Sequence, residues 1–320
     1  MDLKELNYLI AIADEGSISR AAESLYMAQS SLSQFLQQYE AELGVRLFFR
    51  TARGVRPTAA GQAFIQNARQ ILLHYRRAQN EVWDIEQLKG GRIEFGTATF
   101  RGTYLLPPVL KRFHQAYPNI HVSVTEMDSV PLEDRIAEGL LDMALIALPA
   151  VKLKENVEWL MQDEILLAAS KDHPVMDFVH PASKDIPLPW VQLSDIAPFE
   201  FILGPPGTIL GRAARDEFRK AGLEPKAWHT SFTAPFAAAM AREGVALALT
   251  YRSCIVPHEN AVYLRIGEEG IPLNLGLAYP TGEYRSKAAV ELGRLFHSMY
   301  PGPEQNPGNL QPDQEKAVSF

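Results

Sequence analysis

Ser17-Ile18-Ser19-Arg20-Ala21-Ala22-Glu23-Ser24-Leu25-Tyr26-Met27-Ala28-Gln29-Ser30-Ser31-Leu32-Ser33-Gln34-Phe35-Leu36 is the stretch on which the reading of this chain turns. Ser17 stands where a helix N-cap belongs, and Ile18, Ala21, Ala22 and Leu25 then recur on one helical face. After a short connection at Tyr26 and Met27, Leu32, Leu36, Tyr39 and Leu43 form the buried face of another helix. Its opposite face carries Gln29, Ser30, Ser33, Gln34, Gln37 and Gln38. Two short helices joined by a tight turn, the second with hydrogen-bonding side chains outward, predict a helix-turn-helix. An earlier helix with Leu3, Leu6, Ile10 and Ala13 as its apolar stripe ends at Gly16. Gly44 stops the later one, and Leu47 to Thr58 reads as a small hairpin, a wing, with Gly54 near its turn. This N-terminal domain spans residues 1–58.

Thr58 is a plausible N-cap for a long helix, because up to Lys89 there is no proline and the one glycine, Gly61, falls in the first turn. Phe64, Ala68, Ile71, Tyr75, Ala78, Val82 and Ile85 alternate steps of four and three, the seam of a coiled coil. The period lies nearer 3.5 than 3.6, which favours a homodimer seam along a linker helix, 59–89, over packing on its own chain. Gly90-Gly91 ends the helix and supplies a hinge.

Beyond the hinge the pattern alternates between strand and helix: strand 92–96, helix 103–117, strand 120–125, helix 131–139, strand 143–147. A second cycle follows: strand 201–203, helix 209–221, strand 227–231, helix 235–243, strand 245–250. A strand at 273–278 and a helix at 286–300 close the domain. Two such units predict two parallel-sheet lobes in an α/β domain over 90–300, lobe I from about 92–160 and 268–300 and lobe II from about 161–267. The Pro-, Gln- and Asn-rich tail, 301–320, reads as disordered.

With 320 residues, 47% of them hydrophobic, the chain can bury more than one core. Its net charge of -7 excludes a protein that is basic all over. Yet from Leu43 to Asn80 there is no Asp or Glu, while Arg46, Arg50, Arg53, Arg56, Arg69, Arg76 and Arg77 fall there, a local patch for an anionic partner. The single cysteine, Cys254, excludes an internal disulfide or a cysteine zinc cluster and reads as a packed core thiol. The start does not resemble a signal peptide and no run approaches a membrane span, so a cytoplasmic protein without membrane partners is expected. No nucleophile elbow, His-Glu-x-x-His, phosphate loop or dinucleotide fingerprint is present, so no enzyme, metal or cofactor is expected.

By this point the residues resemble the LysR-type transcriptional regulators over nearly the whole chain. The match is dense in Leu6-x-Tyr8-Leu9, Arg20-Ala21-Ala22-Glu23-x-Leu25, Glu40-x-Glu42-Leu43-Gly44-x-x-Leu47-Phe48-x-Arg50 and Arg53-Gly54-Val55-x-x-Thr58-x-Ala60-Gly61. It is looser in Leu105-Leu106-Pro107, Phe113-x-x-x-Tyr117-Pro118, Glu138-Gly139-x-Leu141-Asp142 and Gly244-Val245-Ala246. The resemblance implies an all-α winged helix-turn-helix domain, a long linker helix and a two-lobed, periplasmic-binding-protein-like effector domain. It also implies a homotetramer that binds double-stranded DNA, responds to a small molecule and acts on RNA polymerase. The chain departs from the family pattern in having Ala28 for a common Ser, Ser30 for a common Pro, and Gln34, Gln37 and Gln38 where basic residues are frequent.

DNA contact is therefore assigned to Gln29, Ser30, Ser33, Gln34 and Gln37, whose amides suit adenine edges, with Arg20, Arg50, Arg53 and Arg56 on phosphates or in the minor groove. Open parallel sheets bind ligands beyond the carboxyl ends of their strands. In this sequence those positions hold Thr97, Thr99, Phe100, Arg101, Asp128, Ser129 and Pro149, then Gly204, Pro205, Thr208, Ser231, Phe232, Thr233 and Thr250. Hydroxyls beside helix starts suit a small organic acid, although each alone also reads as an N-cap. Arg101 either pairs with that acid or faces solvent at the rim. Two other classes compete: an enzyme on the same two-lobed domain, opposed by the missing acid-base motif, and a transport solute-binding protein, opposed by the helix-turn-helix.

Overall fold

The computed structural model describes residues 2–301 apart from 52, 53, 87, 89, 154, 231 and 283. Arg53, Ser231 and the tail beyond residue 301 thus lie outside the described residues. The chain separates into two compact units, one of residues 1–87 with 138–140 and one of the remainder.

In the first unit, α1 (Leu3–Glu15), α2 (Ile18–Ser24) and α3 (Gln29–Leu43) precede the hairpin β1 (Phe48–Thr51) and β2 (Gly54–Pro57) and the long α4 (Ala59–Ile85). The caps explain the breaks. Asp2 and Glu5 form a reciprocal capping box, and Gly16 ends α1 in the left-handed region. Ser17 accepts from the Arg20 amide, Thr58 from the Gly61 amide, and Gly44 closes α3. The α1 stripe is rotated from expectation: Leu6, Leu9 and Ile12 are buried, while Ile10 and Ala13 only flank the core. Leu32, Leu36, Leu47, Phe48, Val55 and Ile65 complete that core. Gly61 is required by contact, since a Cβ there would lie 1.9 Å from the Leu47 carbonyl oxygen.

Helix α4 stops at Ile85, short of Lys89. Of the coiled-coil positions, Ala68 is buried, but Ile71, Tyr75, Ala78, Val82 and Ile85 are exposed, with Ile85 at 77%. They leave an apolar stripe along the helix without cover in the single chain.

The second unit is built on a ten-stranded sheet. Its elements in chain order are β3 (Gly91–Thr97), α5 (Thr99–Ala116), β4 (Ile120–Glu126), α6 (Ser129–Ala137), β5 (Met143–Leu148), β6 (Val157–Ser170), β7 (Trp190–Val191), α7 (Leu193–Ile196) and β8 (Glu200–Ile202). There follow α8 (Ile209–Lys220), β9 (Lys226–His229), α9 (Ala234–Arg242), β10 (Leu247–Tyr251), β11 (Ala261–Ile266), β12 (Ile271–Ala278) and α10 (Lys287–Met299). The order along the sheet is β4-β3-β5-β12-β6-β10-β8-β9, with β11 joining β6 to β7.

Two parallel sheets were expected, and the structure corrects this. Strand β3 runs parallel to β4 and β5, and β8 to β9 and β10, but β12 is antiparallel to both β5 and β6, and β10 and β11 are antiparallel to β6. Strand β6 has no counterpart in the sequence reading. Over its 14 residues it bonds β12 through 157–165 and then β10 and β11 through 165–170, so one strand serves both halves of the sheet. Its burial is irregular up to Glu164, with Leu160 and Asp163 buried, and continuous from Ile165 to Ser170, so no period of two is visible.

Candidate functional sites

Helix α3 holds its polar face outward: Gln29, Ser30, Gln34 and Gln37 are exposed and Ser33 half-buried, because Leu32 and Leu36 take the core side. The wing is fastened to this helix at both ends. At its base Glu40 Oε1 accepts from the Leu47 and Phe48 amides at 2.6 and 2.9 Å, and at its tip Arg50 Nη2 donates to Ser33 Oγ at 3.3 Å. Glu40 entered the sequence reading only as part of a motif. Its position in α3, just before the turn into the wing, is the signal that could have marked it as a clamp. Arg56 is exposed on β2. Arg20 donates to the Glu15 carbonyl and lies 3.8 Å from that residue's carboxylate, so its head closes the end of α1.

In the second unit α5 begins at Thr99 and not at residue 103, which places Thr99, Phe100 and Arg101 in its first turn. Arg101 corrects the solvent-rim alternative: its side chain is fully buried. Nη2 donates to Ser129 Oγ at 3.2 Å, and the guanidinium lies 5.1 Å from the centre of the Tyr251 ring. Among the described residues Nε and Nη1 have no partner, and neither does the hydroxyl of Thr250, also buried. Phe100 packs against Tyr251 and Tyr104, each pair of ring centres 5.7 Å apart.

Behind these residues sits a buried carboxylate that the sequence reading did not single out. Asp163 accepts from Ser253 Oγ at 2.5 Å and from the amides of Ser253 and Glu164. Burial pushes its pKa up, while those hydrogen bonds and the charge of Arg101 oppose the rise. Burial also raises the Tyr251 phenol to about 12.

The other candidates do not join this cluster through any hydrogen bond or ring contact among the described residues. Thr97 is buried against Gly102, and Thr99, Asp128 and Pro149 are exposed. Thr208 is the N-cap of α8, accepting from the Gly211 amide and donating to Pro205, and Gly204 receives Arg215. Phe232 packs at a tilt between the rings of His229 and Phe236, and Thr233 precedes α9 without a side-chain cap bond.

Two family models account for nearly all of this. Residues 3–62 match the bacterial regulatory helix-turn-helix protein of the lysR family, and residues 86–300 match the LysR substrate binding domain. The chain belongs to the LysR family. Among relatives of LysR type, an uncharacterized regulator, YcgK of Bacillus subtilis, is 36% identical over 54% of this chain and 53% of its own length, so that match spans about half of the relative. A probable RuBisCO transcriptional regulator of a Nostoc species is 27% identical over 99% of this chain and 94% of its own. Of solved structures, the LysR regulator CbnR has the same fold, with a TM-score of 0.63 at 21% identity over 94% of this chain and 99% of that one. CbnR in complex with its target DNA gives 0.61 at 23% identity, covering 92% and 100%. Among the described residues no helix is long and apolar enough to cross a membrane.

Within this LysR chain Cys254 is buried, with Sγ 3.7 Å from Ser253 Oγ and from the Phe100 carbonyl oxygen. Burial lifts its thiol from 9.0 to about 12. At pH 8 its thiolate fraction is then far below that of a free cysteine. Alkylation by iodoacetamide, followed by mass spectrometry, should modify Cys254 only once the chain is unfolded. Rapid labelling of the folded protein would show the thiol to be an accessible one.

Proposed function

We propose that this chain is a one-component transcription factor of the cytoplasm: the first unit binds double-stranded DNA, and the second adjusts that binding when it takes up a small organic acid. The observation that carries the effector reading is Arg101, fully buried with Nε and Nη1 unpaired among the described residues. A buried cation with free donors is costly, and a carboxylate relieves that cost by charge-assisted hydrogen bonds. Ser129, Thr250, the buried Thr97 and the Phe100 ring stand with it as effector contacts, and Thr99, Asp128 and Pro149 form the outer margin. Gly204, Pro205, Thr208, Ser231, Phe232 and Thr233 belong to the opposing lobe, with lobe I at about 92–160 and 268–300 and lobe II at about 161–267.

On the DNA side, Gln29, Ser30, Ser33, Gln34 and Gln37 read base edges, and Arg20, Arg50, Arg53 and Arg56 grip the backbone. Arg20 must leave Glu15 to do so. The uncovered stripe of α4 supports a homodimer through the linker helix, and two such dimers make the tetramer that presents paired reading heads to an operator and to RNA polymerase. Acid binding shifts the balance of two forms by the roughly 1 to 3 kcal/mol usual for such coupling.

The test is footprinting of the full chain on the duplex upstream of its own gene, with and without acetate, benzoate, succinate and citrate, beside calorimetry with the same acids and their amides. Protection that changes with an acid and not with its amide is the expected result. Binding of amides alone would overturn the acid assignment, and no protection at low salt would overturn the DNA assignment.

A further inference from the structure

Tyr26 lies in the turn between α2 and α3, just before Gln29, and two features set it apart. Its backbone is left-handed, with φ of 54°, and its side chain is 97% exposed, making no hydrogen bond or ring contact among the described residues. Its neighbours Leu25 and Met27 pack on the core instead.

The backbone reason is local. The Met27 amide donates to the Ala22 carbonyl and the Tyr26 amide to the Glu23 carbonyl, the paired bonds of a Schellman helix end. The residue at the centre of that motif must be left-handed, a position suited to glycine or asparagine and strained for a tyrosine. The two hydrogen bonds fix the backbone there, but among the described residues no hydrogen bond or ring contact holds the exposed ring. Strain held at such a position points to a contact made outside the chain.

The turn's place in the motif tells which contact. In a helix-turn-helix the first helix crosses the sugar-phosphate backbone and the N-terminus of the second enters the major groove. The turn that joins them therefore faces the phosphates at the groove's edge, and tyrosine hydroxyls are among the side-chain groups that donate to phosphate oxygens. We propose that Tyr26 is a DNA contact, its phenol O–H donating to a backbone phosphate beside the groove that α3 enters. This adds a neutral donor to a reading head whose other phosphate ligands are arginines.

The test uses the full chain with Tyr26→Phe and Tyr26→Gly, measuring melting and binding to two probes: random-sequence duplex at low salt and the duplex upstream of its own gene. Tyr26→Gly should melt at the same temperature or higher, because glycine is the residue the backbone favours. Both variants should bind both probes about three- to tenfold more weakly, the worth of one hydrogen bond. The dependence on salt should stay as in the parent, since a neutral phenol displaces no counterion. Three outcomes would overturn the assignment: parental affinity for Tyr26→Phe, a loss confined to one DNA sequence, or a lower melting temperature for Tyr26→Gly with unchanged affinity.

Discussion

Replacing Arg101 by Met abolishes the response to acids and leaves the ligand-free protein at least as stable as before. The second half of that expectation follows from the guanidinium itself, which is buried and, among the described residues, has two nitrogens unpaired and one hydrogen bond, to Ser129. A poorly satisfied buried charge costs several kcal/mol, and an apolar side chain of similar length does not. The Asp163 carboxylate keeps its hydrogen bonds from Ser253 and from the Glu164 amide, which oppose the rise caused by burial more than the charge of Arg101 does. Ligand binding goes the other way. A desolvated charge pair that loses one partner costs about 2 to 5 kcal/mol, or about 30-fold to several thousandfold in affinity. Calorimetry with the acid found active on the parent protein gives the affinity, and thermal melting without ligand gives the stability. Full retention of acid binding by Arg101→Met would place the anion elsewhere.

The second large effect belongs to α4. Tyr75→Asp or Val82→Asp should convert the protein to monomers at micromolar concentration, without loss of helix content. Both side chains are about half exposed in the single chain, Tyr75 at 49% and Val82 at 58%, so a carboxylate there meets water in the monomer. In a two-fold dimer each change occurs twice, putting like charges into an apolar seam. Loss of pairing removes the gain from two linked reading heads, about 100- to 10,000-fold in affinity for an inverted repeat. Sedimentation velocity reads the first effect and titration of the upstream duplex the second. Gln66→Glu, an exposed change off the seam, serves as the control and should remain dimeric. Dimers that survive both seam changes would assign the stripe to another role.

Much of this was legible in the residues because the signals are local. Ser17, Gly16, Gly44 and Thr58 act at the helix ends where their chemistry predicts, and the hairpin around Gly54 forms as read. The second strand-helix cycle also forms within a few residues of expectation. What failed to show depends on contacts distant in sequence. Strand β6 shows no steady alternation, with Trp159, Leu160 and Met161 consecutive and then Gln162, Asp163 and Glu164, and only pairing with β10, β11 and β12 makes it a strand. The burial of Arg101 comes from Ser129, Tyr251 and the residues around Asp163, none of them near it in the chain. Of the effector residues named in advance, Phe100, Arg101 and Ser129 come together, while Thr208 serves as a helix cap. The fit of Tyr26 into a left-handed turn carries no sequence signal at all, since tyrosine is a poor choice there.

Strand β6 has a mechanical consequence. Because one uninterrupted ribbon is laced into both halves of the sheet, pulling the halves straight apart would tear its ladder on two sides at once. Twisting along its length strains those bonds far less, since sheets already carry coil from strand to strand. Strand β6 is in this sense a torsion bar, and Asp163, which feels the charge of Arg101, stands near its middle.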